Sequence, residues 1–303
     1  MPAWGYAIAS DGSPLFYESW GERGTRAPVV LCDGIGCDGY VWRYLKQDLD
    51  TRFGLHPHYR GHGRTAAPRD PARIKIEDLA DDVACVLDDA LVDRAVLIGH
   101  SMGVQVALET YRRHRDRIAG LVLVCGASSH PLKTFRGSAT LDELLPTIQK
   151  WIHRVPGVIN RVTRLVLPTR LAYEVASRLE IRRDLIEPAD FMPYLEGMAR
   201  IDSRLFVAML SSAGQHSADD LLPEIACPVL VVAGGRDGFT PPERSRAMAD
   251  AIPEAELLEI DDASHTAPIE RPTLVDQTVR EFLIRRVDQV FDSPPIDVQV
   301  ETE

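Results

Sequence analysis

No stretch of the 303-residue chain is apolar for long enough to cross a membrane as a helix. Met1 to Ser10 has neither the basic start nor the apolar run of a secretion signal, so a soluble, cytoplasmic protein without membrane insertion is expected. Positive charge is also scarce: 34 Lys+Arg face 45 Asp+Glu, for a net charge of -11. A surface of that sign repels phosphate backbones, which excludes nucleic acid as an expected partner. The basic-looking stretch Tyr111–Arg115 falls where a helix should end, and cations there complement the helix dipole. The five cysteines are odd in number and include no Cys-x-x-Cys pair or zinc-ligand spacing. Cys32, Cys125 and Cys227 lie in or beside apolar runs, where a thiol behaves as a small hydrophobe. A reducing compartment is the expectation, with no disulfide framework, metal or cofactor. Internal repeats and low-complexity tracts are absent.

What remains is an ordinary globular composition, 45% hydrophobic and 26% charged, on a length that allows one large core or one core interrupted by an insert. Trp4 to Ala9 and Leu15 to Trp20 flank Asp11-Gly12 and read as a β-hairpin. Pro28 to Asp33 reads as a buried central strand ending in glycines. Helical and strand patterns then alternate: Ile76–Leu91 helix, Ala95–Ile98 strand, Gly103–His114 helix, Ile118–Val124 strand. This rhythm is that of βαβ units in a mostly parallel sheet. Residues 128–222 break it with helical segments only (Leu141–Val155, Val158–Leu167, Leu171–Leu185), punctuated by Pro146, Pro156, Pro168 and Pro188. The βα rhythm resumes with Pro228–Ala233, a helix over Pro242–Ala251, the strand Glu256–Ile260 and a last helix from about Thr273 to Val287. The fold class is therefore α/β: a mostly parallel sheet flanked by helices, with an inserted all-helical cap. Residues 1–127 and 223–287 form the core, 128–222 the cap, and 288–303 a tail expected to be frayed.

The chemistry-bearing motif is Gly99-His100-Ser101-Met102-Gly103, which follows a strand and opens a helix. The turn is too tight for side chains at its flanks, so the glycines let the chain pass while Ser101 is pushed out with its hydroxyl exposed. The Met102 amide, at the helix start, is free to donate toward the same space. A serine hydroxyl needs a base, and the base needs a group to orient it. Asp237, after the strand Pro228–Ala233, and His265, after the next strand, follow in the order Ser, Asp, His, and should emerge at the same sheet edge as Ser101. His100 should turn away into packing. His56, His58 and His62 surround the Arg60-Gly61-His62-Gly63 loop, with no helix to hold them on one face, and are expected to form loop hydrogen bonds without a metal.

Together these stretches resemble the α/β-hydrolase fold superfamily, in its esterase- and lipase-like branch with a serine nucleophile and a helical cap after the sixth strand. The resemblance runs from Trp4 to Val287 and implies an eight-stranded sheet, one strand more than the seven that patterning locates. His58-Tyr-Arg-Gly-His62-Gly-Arg64 is similar to the family's D-x-R-G-H-G-x-S loop, departing at both ends. Gly234 to Pro242 is similar to its acid loop, and Ser264-His265 with Glu270-Arg271-Pro272 to its histidine loop. The resemblance implies an oxyanion hole made of the Met102 and Ile35 amides. Where the family has a His-Gly pair before the second donor, this chain has Asp33-Gly34. A carboxylate there opposes a developing negative charge unless it is turned away. Asp33 either orients a loop group such as the Gly36 or Cys37 amide, the favoured reading, or favours a substrate other than a simple ester.

The implied function is a serine hydrolase that cleaves carboxylic esters or lactones of small to medium apolar substrates through an acyl-enzyme. The same triad also serves carbon–carbon bond hydrolases, thioesterases, acyltransferases and perhydrolases, and a non-catalytic ligand receptor is a further alternative. Ser101 excludes an aspartate nucleophile. The insert carries Leu144, Leu145, Ile148, Trp151, Ile152, Val155, Leu165, Val166, Phe191, Leu195, Met198, Leu205, Phe206, Met209 and Leu210 at helical spacing; most of these are expected in its own core and its seam with the sheet, and a minority, which the sequence does not single out, facing Ser101. A homodimer is compatible with the sequence, which does not fix the oligomeric state.

Overall fold

The computed structural model describes residues 3–182 and 184–291. Its first two strands, β1 (Ala3–Ile8) and β2 (Pro14–Trp20), pair antiparallel around Asp11-Gly12. Gly12 takes the left-handed backbone such a turn needs, φ 77°, and Asp11 Oδ1 accepts the Ser13 amide. β3 (Val29–Cys32) is buried on both faces. A short helix, α1 (Arg43–Asp48), leads to β4 (Gly54–Pro57), and α2 (Ile76–Asp89) to β5 (Ala95–His100). α3 (Met102–Arg113) follows directly and returns the chain to β6 (Ile118–Val124). The eight strands lie in the order β1-β2-β4-β3-β5-β6-β7-β8, parallel from β4 onward, with β7 and β8 supplied by the C-terminal part of the chain.

The patterning locates every strand but β4. Its sequence, Gly-Leu-His-Pro, carries one large apolar residue, yet all four positions are buried because β2 and β3 close on its two edges. His56 therefore lies on a strand, not in the loop expected for it.

Between β6 and β7 come helices only: α4 (Thr140–Arg154), α5 (Pro156–Val166), α6 (Arg170–Glu180), α7 (Pro188–Arg200) and α8 (Ser203–Gln215). Pro156 and Pro188 open helices, where a missing N–H costs nothing. Pro146 lies inside α4 and does not end it. The helix expected to reach Leu185 stops at Glu180. The two ends of the segment are clipped together: Ala218 donates its amide to the Ser128 carbonyl, His130 its amide to the His216 carbonyl, and Asp219 accepts from the Ser128 and Ser129 hydroxyls. α4, α5 and α6 pack on α7 and α8, and no third layer covers their outer sides among the described residues. Leu144, Ile148, Trp151 and Val155, spaced four, three and four apart on α4 and its end, are consequently exposed, as are Leu165 and Val166 on α5. Of the fifteen apolar residues named in the insert these six are exposed, whereas Leu145, Phe191, Leu195 and Met209 are buried and Ile152, Met198, Leu205, Phe206 and Leu210 half-buried.

The chain closes with β7 (Val229–Gly234), α9 (Pro242–Ala251), β8 (Glu256–Ile260), the short α10 (Ala267–Glu270) and α11 (Pro272–Phe282), whose helical path continues through Phe291. A tail starting at 288 is therefore corrected for its first four residues. The Asp288 carboxylate takes both terminal nitrogens of the buried Arg52, at 2.8 and 2.6 Å, and the Ala27 amide at 3.2 Å. The remaining tail, 292–303, lies outside the described residues.

At the other end of β4, His58 is buried edge-on against Phe16, with ring centroids 4.9 Å apart, and its Nδ1 accepts the Arg64 amide. Burial pushes its pKa down to about 4, so it stays neutral in the folded protein.

Two outcomes follow for stability. Asp288→Ala leaves the Arg52 guanidinium buried without its anion and should lower unfolding stability by about 3 kcal/mol in urea titrations. The unfolded chain protonates His58 from about pH 6.5, whereas the fold resists until about pH 4. Its contribution is therefore whole above pH 6.5 and is lost as pH falls toward 4; a urea midpoint that stayed level from pH 7 to pH 5 would contradict this.

Candidate active site

Ser101 occupies the turn from β5 to α3 with φ 55° and ψ −118°, a strained backbone for a side-chain-bearing residue. The strain is imposed by packing. A Cβ on Gly99 would stand 2.3 Å from the Gly103 carbonyl oxygen, and one on Gly103 only 2.0 Å from that of Cys32. Glycine at both positions lets the first turn of α3 press against the ends of β5 and β3. Its first amide, Met102, then points past the sheet edge without a carbonyl one helical turn back.

His265 and Asp237 reach this point from the loops after β8 and β7. His265 Nε2 lies 2.9 Å from Ser101 Oγ, and its Nδ1 lies 2.8 Å from Asp237 Oδ2. The three side chains singled out in the sequence thus form one hydrogen-bonded line. Asp237 is itself fixed: Oδ1 accepts the Phe239 and Thr240 amides at 2.8 and 2.9 Å. The Thr240 hydroxyl stands 2.8 Å from both Asp237 Oδ2 and the Cys125 carbonyl, its one proton serving either. The Phe239 ring stacks on the His265 imidazole, centroids 4.9 Å apart. Sequence alone gives Phe239 and Thr240 no role of their own; they lie two and three residues after the acid, inside the Gly234–Pro242 stretch.

Behind His265, the buried Glu270 accepts the Ser264 amide and hydroxyl, the Thr266 hydroxyl and the Arg182 amide, which clamps the histidine loop. His100 packs edge-on against Trp42, as expected. Its Nε2 also lies 2.8 Å from the His265 carbonyl, so Nε2 carries the hydrogen and donates it. Burial pushes the His100 pKa down to about 4 and keeps the ring neutral.

The loop after β3 brings Ile35 to the same place, and its amide donates to no backbone carbonyl among the described residues. Asp33 does not orient the Gly36 or Cys37 amide, contrary to the favoured expectation. The Gly36 amide donates to His62 Nε2 at 3.1 Å and the Cys37 amide to the Gly34 carbonyl. Asp33 instead meets His56 Nε2 at 2.8 Å, because β4 runs beside β3 and holds His56 next to the end of β3, where Asp33 follows. Burial alone would raise the Asp33 carboxyl, but the His56 imidazole outweighs it and holds the pKa below the ordinary carboxylate range. With Nε2 accepting, His62 donates from Nδ1 to the Arg60 carbonyl and is neutral, its pKa lowered by burial. His62 is thus a positioning group for the Ile35 loop.

Ser101 opens onto two adjoining spaces. The smaller, about 50 Å³, lies among Gly34, Cys37, Tyr40, Phe191 and His265. The larger, about 220 Å³, is mainly apolar; Ile35 and Met102 line it together with Leu141, Met198, Phe206 and Leu210 from the helical segment. A roomier surface depression of about 580 Å³ over α2 and α8 includes none of Ser101, Asp237 and His265.

The chain is similar over most of its length to known proteins. The bovine protein ABHD8 is 27% identical over 271 residues, 86% of this chain but 57% of that protein, so the chain spans little more than half of that relative's length. The enol-lactonase from Burkholderia xenovorans LB400 superposes with a TM-score of 0.74 at 27% identity, covering 92% of this chain and all of that one. A thermophilic esterase from Thermogutta terrifontis gives 0.71 at 27% identity, covering 95% and 99%. The alpha/beta hydrolase fold family matches over residues 27–272, and by that match the chain belongs to it.

Proposed function

We propose that the chain is a serine hydrolase of carboxylic esters or lactones with small to medium apolar groups. The observation that carries this is the unbroken line from Ser101 Oγ through His265 to Asp237, opening onto a mainly apolar cavity. In this reading His265 Nε2 takes the Ser101 proton as Oγ attacks the carbonyl carbon, and Asp237 holds the imidazole and stabilises its charged form. The Ile35 and Met102 amides donate to the oxyanion. The pairing of Asp33 with His56 draws its charge toward β4 and away from that oxygen. Collapse of the tetrahedral intermediate expels the alcohol, protonated by His265, and leaves an acyl-Ser101. Water, deprotonated by the same imidazole, then releases the acid.

The helical segment 128–222 is the cap in this scheme, roofing the cavity with Leu141, Met198, Phe206 and Leu210. The similarity to an enol-lactonase and an esterase supports ester and lactone bonds as the target. The described cysteines are all free, which supports a reducing, cytoplasmic setting.

Fluorophosphonate labelling and turnover of p-nitrophenyl esters of increasing acyl length test the proposal. The wild type should label at Ser101 and turn over the shorter esters, while Ser101→Ala should not label and should lose about 10⁴-fold or more in kcat. A wild type that neither labels nor cleaves esters, thioesters or lactones would end the proposal. Asp237→Asn should keep the fold and lower kcat by about 10⁴-fold, because an amide holds the wrong imidazole tautomer.

A further inference from the structure

In the wall of the cavity beside Ser101, the side-chain oxygen of Gln105 is used by neither the fold, among the described residues, nor the proposed chemistry. Gln105 lies one helical turn beyond Ser101, on the same side of α3, fully buried and in the cavity wall. Its orientation is determined by its partners. The amide nitrogen stands 2.9 Å from the Ala213 carbonyl, which can only accept, so the NH₂ group must face that way. A second contact from the same nitrogen runs to His216 Nδ1 at 3.4 Å. His216 Nε2 lies 3.2 Å from Glu109 Oε2, so Nε2 carries the ring proton and Nδ1 the lone pair that receives Gln105. Glu109 is held by Arg112, and Arg112 by Asp220 at the surface.

Every link in this chain is set by its neighbour, and the chain ends on Gln105 Oε1. That oxygen is buried, and no donor among the described residues reaches it. A buried acceptor left without a partner is costly, and turning the amide over would set oxygen against the Ala213 carbonyl. The network thus fixes an acceptor one helical turn from Ser101, in a cavity whose other lining is mostly hydrocarbon.

We infer that Gln105 Oε1 is a substrate-recognition group: the part of the ester or lactone that fills the cavity carries a hydroxyl or N–H donor that bonds to it. The inference rests on the hydrolase reading above and narrows it from plain alkyl esters to hydroxylated or amide-bearing ones. A plain hydrocarbon chain in the cavity leaves Oε1 unpaired, whereas one bearing a donor at the right position satisfies it. That difference makes the site discriminate between them.

The test compares kcat/KM, followed by acid release in a pH-stat, for methyl alkanoates against length-matched methyl hydroxyalkanoates with the hydroxyl stepped along the chain. Alkyl acetates against hydroxyalkyl acetates cover the case in which the cavity takes the alcohol part. At one hydroxyl position the wild type should prefer the hydroxylated ester by about tenfold. Gln105→Met, close in shape but lacking the acceptor, should bring that ratio to one or below. A merely structural role for Gln105 would lower both rates together and leave the ratio in place, which would overturn the inference. Plain esters cleaved by the wild type with no donor preference in either series would overturn it while leaving the hydrolase reading standing, whether or not Gln105→Met folds. A wild type that cleaves no ester and takes no fluorophosphonate label would remove both.

Discussion

The closeness of the first turn of α3 to the sheet is the constraint on which the site depends. Gly103 passes the Cys32 carbonyl where no side chain fits, and Gly99 passes Gly103 in the same way. With both glycines in place the chain cannot relax between β5 and α3, so the strain gathers at Ser101, whose φ is 55°. The same contact sets the start of α3 beside the loop after β3, so that Met102 and Ile35 line one cavity with Ser101. A looser turn would keep the sheet and lose that convergence.

Around this point the protein fixes polar groups by filling their hydrogen-bonding capacity from behind. Asp237 is held by two backbone amides and the Thr240 hydroxyl, the histidine loop by Glu270, and the Ile35 loop by His62. Each support is buried, where a hydrogen bond faces little competition from water. His58 and His100 are kept neutral by burial, so they add shape and hydrogen bonding without adding charge. The buried Asp33 is matched to His56, a residue from the neighbouring strand.

Patterning carried the parts of the fold whose local chemistry is self-sufficient. The elbow is legible because only glycine tolerates its geometry, and β3, β5, β6 and β7 because strands buried on both faces must be apolar throughout. β4 escaped because it is buried by its neighbours and not by its own composition. The partner of Asp33 escaped for the same reason: the contact with His56 exists only once β3 and β4 are side by side. On α4 and α5 the apolar spacing gave the helices correctly, but spacing cannot say whether a second layer will cover the stripe. At the C-terminal end, Asp288 reads as one more tail carboxylate until Arg52, far away in sequence, is found against it.

The strand order also dictates when the molecule can become whole during synthesis. β7 pairs with β6, so the Leu121–Val124 edge stays open until the chain beyond the helical segment has been made. An apolar edge of that kind captures stray strands. α11 and its extension bring Val279, Phe282, Leu283 and Val287 to one face of the sheet later still. A nascent chain therefore exposes that edge and that face until these later segments have been made. Ser101 meets His265 only once the chain has grown by a further 164 residues.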